Sequence, residues 1–184
     1  MAHEILDNIT HQDLKIALRQ GAEYGDNQQC VPAYLPEFRQ LQSDYPLFLR
    51  KNEQQQFEPL ALLGFVEQEN LFLTSKGWDA AYIPLSIQRQ PFLIGFQTRM
   101  ENGIPQQHPV VCVDMAHPRV NRGHGEAVFL PQGGNSPYLK QITTILATIQ
   151  QGQLQNQKFV AALTEMDLIE PVTLEFTFAT QHRI

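Results

Sequence analysis

At 184 residues, with 42% hydrophobic and 17% charged side chains, the chain is the size of one domain, able to bury roughly 70% of its unfolded surface. Its 11 Gly, 12 Pro and 2 Cys argue against a disordered tail, a collagen-like repeat and a disulfide-stapled mini-protein. The net charge of −6, with 13 Lys and Arg that gather no more densely than Arg50-Lys51, argues against a nucleic-acid or anionic-membrane surface.

The longest apolar run, Leu60 to Val66, is far short of the ~20 residues of a membrane-spanning helix. Met1 to Asp7 is acidic and carries no basic segment followed by an apolar one, so the expected location is the cytoplasm. Cys30 and Cys112 have no CxxC spacing and are expected as reduced, buried thiols. Glutamine is unusually abundant at 23 residues. Runs such as Gln54–Gln56, Gln106–Gln107 and the Gln-rich stretch between Gln150 and Gln157 are expected in loops and on helix surfaces.

From His11 to Ala22, Leu14, Ile16 and Leu18 alternate with polar neighbours, the pattern of a half-buried strand. Pro36-Glu37-Phe38 opens a short helix, with proline in the first turn and an acid favoured by the helix dipole. That helix ends by Tyr45, ahead of Pro46. Leu60 to Val66 reads as a central strand, joined through Glu67-Gln68-Glu69-Asn70 to Leu71-Phe72-Leu73 as a hairpin. Further strands are predicted at Pro91 to Phe96, Val110 to Val113 and Ala127 to Leu130. Ser136-Pro137 caps a helix with Leu139, Ile142, Leu146 and Ile149 on one face, closed by Gly152. Asn156 starts a second helix carrying Phe159, Leu163 and Met166. Thr173 to Phe178 alternates as a last strand. The expected class is α+β: a largely antiparallel sheet, a short N-terminal helix and two C-terminal helices packed on it.

The most specific pattern is Gly77-Trp78-Asp79-Ala80-Ala81-Tyr82-Ile83-Pro84 followed by Arg89-Gln90-Pro91-Phe92. With Pro36-Glu37-Phe38, Tyr45-Pro46, Ala61-Leu62-Leu63-Gly64, Val113-Asp114, Gly125 to Phe129 and Gly133-Gly134, it resembles the SapC family of bacterial proteins from about His11 onward. The resemblance implies a single SapC-like domain over 1–184; because family members continue with a further strand and helix, the chain is expected to be a C-terminally shortened member or a fragment. An edge left open there favours pairing with another chain, including a homodimer. It further implies an accessory protein of a surface or uptake locus, with no cofactor. Its protein or peptide partner would be a halogenase or a cupin-like enzyme of the same locus.

Trp78, Tyr82, Arg89 and Phe92 are the candidate partner-binding residues. Aromatics beside an Arg bury large areas and offer directed hydrogen bonds, and Pro84 and Pro91 stiffen the turn between them. The plain alternative is that Trp78 and Phe92 are core and Arg89 pairs with an acid. A second candidate is a metal-dependent oxygenase or hydrolase site at His108, His117 and His124 with Asp114 and Glu126, residue types that ligate Zn or Fe(II). Gly133-Gly134-Asn135-Ser136 opens a helix where an anion could sit, but a plain turn with a Ser cap is the preferred reading. Cys112, within Val110 to Val113, reads as a packed thiol and not a nucleophile.

Overall fold

The computed structural model describes residues 3–175. The α+β class holds, but the single sheet resolves into several small antiparallel ones. Strand β1 (His3–Ile5) joins the long hairpin of β8 (Phe92–Glu101) and β9 (Ile104–Asp114) in the order β1-β9-β8. Strand β3 (Cys30–Pro32) and β4 (Leu47–Lys51) flank β5 (Phe57–Leu62). Strand β2 (Lys15–Ile16) lies between β10 (Val120–Asn121) and β11 (Glu126–Ala127), and β6 (Leu73–Thr74) pairs with β7 (Gly77–Trp78). A 3-10 turn at Leu35–Glu37 leads into α1 (Phe38–Leu41); α2 is Leu85–Gln88 and α3 is Pro137–Glu165. No helix among the described residues is long and apolar enough to cross a membrane.

The β8–β9 hairpin is longer than the alternation alone predicts. It turns at Asn102 and Gly103, with φ of 52° and 79°, the positive pair that a type I′ hairpin turn requires and that Asn-Gly supplies at little cost. By contrast, the hairpin expected between Leu60–Val66 and Leu71–Leu73 is not formed. Strand β5 ends at Leu62 and uses both edges on β3 and β4, leaving Leu71 only one bond, from its N–H to the Leu63 carbonyl at 2.8 Å. The strand expected over His11–Ala22 shrinks to Lys15–Ile16, where β10 and β11 supply partners; Leu18 is left exposed.

The largest correction concerns the C-terminal helices. Ser136 caps α3 as expected, its Oγ accepting the Leu139 N–H at 3.1 Å, but the helix then runs unbroken through Gly152 for 29 residues. Gly152 is not a stop. It is buried where the chain at Tyr34 passes, and an added Cβ would lie 2.8 Å from that of Tyr34. Nor does Asn156 cap a second helix. Its side chain accepts the Leu35 N–H and donates to the Ala33 carbonyl, both at 2.8 Å, fastening the helix to the loop before α1. Of the expected last strand, Thr173 to Glu175 have no regular structure, and Phe176 to Phe178 lie outside the described residues.

Two buried clusters hold the molecule together. One places Phe92, Val113, Leu14 and Ile16 against Leu139, Ile142, Leu146 and Ile149 of α3. The other gathers Val31, Leu41, Tyr45, Ala61, Leu63 and Ile87 around β5. Each large apolar side chain so buried contributes about 1.5–3 kcal/mol.

Candidate functional site

Residues 77–92 connect the two clusters. Strand β7 presents the Trp78 indole, whose Nε1–H donates to the Tyr45 hydroxyl at 2.7 Å. That hydroxyl donates to the Tyr82 carbonyl. The Tyr82 hydroxyl in turn donates to Glu37 Oε2 at 3.1 Å. Glu37 is 2% exposed and also accepts the N–H groups of Leu85 (2.9 Å) and Tyr34 (3.1 Å). Burial pushes its carboxyl up, against the opposing pull of these donors. Burial likewise raises Tyr45 to about 12 and lifts Tyr82 further. The polar ends of Trp78 and Tyr82 therefore face inward and brace the segment.

Arg89 and Phe92 are turned the other way. The Arg89 guanidinium donates to the Phe92 carbonyl at 2.6 Å, and no carboxylate pairs with it among the described residues. The expected ion pair is absent there. The Phe92 side chain is 0% exposed in the main core, its ring 6.2 Å from that of Tyr138. It gives a partner no surface; packing fills its whole side chain. Beside Arg89, a groove of about 290 Å³ runs between β8 and α3, lined by Tyr34, Phe96, Leu146, Ile149 and Gln153.

Some residues that matter locally have no sequence signal. Asp26 is fully buried and paired with Arg119, from stretches that show no shared motif. Four glutamines (Gln20, Gln88, Gln90 and Gln141) meet with Tyr82 and Arg119 around a cleft of about 380 Å³. These four lie in loops or on helices as expected, whereas Gln97, Gln106 and Gln107 lie in the strands of the β8–β9 hairpin.

The residues considered for a metal do not converge. His108 pairs with Glu101 at 3.1 Å on the protruding hairpin. His117 Nδ1 accepts the Arg119 N–H at 3.2 Å, and Asp114 accepts the Ala116 N–H at 3.1 Å. His124 on the loop that follows and Glu126 in β11 are both exposed. Among the described residues, no group of three or more His, Cys, Asp or Glu is placed to hold a metal ion. Cys112 is a free thiol raised by burial. The Gly133-Gly134 turn ends in the Ser136 cap, whose Oγ is already used by Leu139.

A family model described as SapC matches residues 6–184. No curated protein and no solved structure matches the chain. Coverage of nearly the whole length places the chain in the SapC family.

Proposed function

We propose that this SapC-family protein is a non-enzymatic accessory protein that holds a protein or peptide partner in the cytoplasm, through the segment from Trp78 to Phe92. The observation that supports this reading is Arg89, a half-buried guanidinium with no carboxylate partner among the described residues, at the end of the groove between β8 and α3. A guanidinium left without its counter-charge favours an incoming carboxylate, and charge-assisted bonds of this kind are stronger than neutral ones. In this reading Trp78 and Tyr82 act as braces, Phe92 as the buried anchor and Arg89 as the contact. Rigid positioning lowers the ordering cost of binding.

The first partners to test are a halogenase and a cupin-like enzyme encoded in the same locus, each co-expressed and purified with this protein. Size-exclusion chromatography with light scattering is expected to show a stoichiometric complex that Arg89→Gln disrupts. A protein that elutes alone beside every neighbour-encoded enzyme would sink the reading.

A further inference from the structure

The hairpin has two long edges, and they are not alike. In the β8–β9 register Glu101 pairs with Ile104 across the turn and Gly95 with Val110. Asp114 donates to the Pro91 carbonyl, and Leu6 donates to the Val111 carbonyl. Even-numbered residues of β9 therefore bond toward β8, and odd-numbered ones bond outward. Along the outward edge of β9, beyond β1, two of the positions are Pro105 and Pro109, which have no N–H to offer.

On β8 the outward positions are Ile94, Phe96, Thr98 and Met100, all with N–H groups. Strand β8 lies at the edge of its sheet, and no hydrogen bond to these groups occurs among the described residues. The edge begins beside Arg89, whose guanidinium already holds the outward carbonyl of Phe92. Its first residues border the groove against α3. Phe96 and Met100, at 62% and 68% exposure, extend an apolar face along the hairpin.

We infer that this edge of β8 receives an extended peptide segment as an added antiparallel strand, with a carboxylate of the segment on Arg89. This rests on the partner-binding reading above and specifies its mode. Backbone pairing supplies affinity, while alternate side chains of the segment enter the groove over Tyr34, Leu146 and Ile149. An antiparallel segment runs from Met100 toward Phe92, so its C-terminal end is the one delivered to Arg89. The carboxylate is then either the terminal one or that of a last Asp or Glu.

Fluorescein-labelled heptapeptide pools alternating Val or Leu with Thr test this by anisotropy. One pool ends in a free carboxylate without acidic side chains, one in an amidated Asp, and one is amidated and uncharged. Binding of the first or the second pool is expected, and which one binds identifies the source of the carboxylate. The uncharged pool, and any pool on Arg89→Gln, is expected to bind about tenfold more weakly. Equal binding of the uncharged pool overturns the charge contact.

Thr98→Pro removes an outward N–H without touching the β8–β9 ladder. Gln107→Pro does the same on the opposite edge, and both variants lose the same Gln107–Thr98 side-chain bond. Thr98→Pro is expected to lower affinity about tenfold or more while Gln107→Pro leaves it unchanged. Equal effects, or none, overturn strand addition. Should Thr98→Pro not fold, peptides N-methylated at alternate amides make the same test on the wild-type protein: persistent binding overturns the inference. A dimer of the protein alone, lost in Thr98→Pro and not displaced by peptide, puts a second copy on the edge and likewise overturns it. A partner complex that survives Thr98→Pro leaves the partner-binding reading standing while this inference fails.

Discussion

Arg119 Nη2 donates to both carboxylate oxygens of Asp26, at 2.8 and 2.7 Å, from 93 positions along the chain. The pair is almost fully buried, with side-chain exposures of 5% and 0%. Arg119 also donates to the carbonyls of Ala17 and Arg19, and Asp26 accepts the Gly21 N–H at 2.9 Å. The Tyr24 ring centre lies 5.1 Å from the guanidinium. One ion pair thus fastens the loop after β2 to the turn before β10.

Asp26→Ala strands a buried guanidinium and is expected to cost about 3–5 kcal/mol in urea unfolding. Adding Arg119→Met is expected to recover part of that loss, because the two sites share one interaction. Strictly additive losses would mean that the pair does not act as a unit.

Gly152→Ala tests the packing of α3. Exchanging glycine for alanine in a helix interior ordinarily stabilises by about 0.5–1 kcal/mol. Here the new methyl would lie 2.8 Å from Tyr34 Cβ and 3.2 Å from Pro36 Cδ. The expected result has the opposite sign, a loss of about 1–3 kcal/mol from overpacking. A raised melting temperature would refute the close approach of α3 to Tyr34.

Asn156→Ala removes both hydrogen bonds from α3 to the backbone of Ala33 and Leu35. It leaves the half-buried Leu35 N–H and the buried Ala33 carbonyl without their partner, at an expected cost of about 1–3 kcal/mol. Because the effect is local, amide exchange at Leu35 should accelerate more than at core positions such as Val113. Uniform acceleration across both sites would count against a local fastening.

His117 carries a pH dependence whose sign follows from its surroundings. Burial first, and the Arg119 charge second, hold its imidazole below the ordinary 6.5, against the opposing pull of Asp114 and Asp26. The folded value is lower than the unfolded one. The stabilisation is therefore complete above about pH 6.5 and is lost as pH falls through the lowered folded value, because the unfolded chain takes the proton first. His117→Asn provides an acceptor for the Arg119 N–H without titrating. Urea midpoints of the wild type should drop relative to this variant below about pH 6.5. Parallel profiles would remove His117 as the cause.

Local rules were legible wherever local chemistry decides the outcome. The Ser136-Pro137 helix start, the short helix that Pro36-Glu37-Phe38 opens, the start of β8 near Pro91 and the Val110–Val113 end of β9 all follow from capping, proline stereochemistry and alternation. The turn at Asn102-Gly103 carried an equally strong local signal and lengthens the hairpin beyond the alternating runs. Gly152 misleads as a helix stop because its reason is a neighbour 118 positions earlier, Tyr34, and not the helix itself. The candidate binding residues divide for the same cause. Trp78 and Tyr82 turn their polar ends toward Tyr45 and Glu37, while Arg89, at the end of α2, reaches the carbonyl of Phe92 at the start of β8.

Composition, alternation and the Trp78–Phe92 pattern by themselves determined the α+β class and the SapC family, since both rest on residue types in sequence order. Tertiary structure alone decided that Asp26 meets Arg119, that α3 continues past Gly152, and that Arg89 stands at an open strand edge without a carboxylate among the described residues. Those outcomes depend on which surfaces the chain brings within a few ångströms of one another. Hydrogen bonds and steric contacts act only at that range, whatever the separation along the sequence.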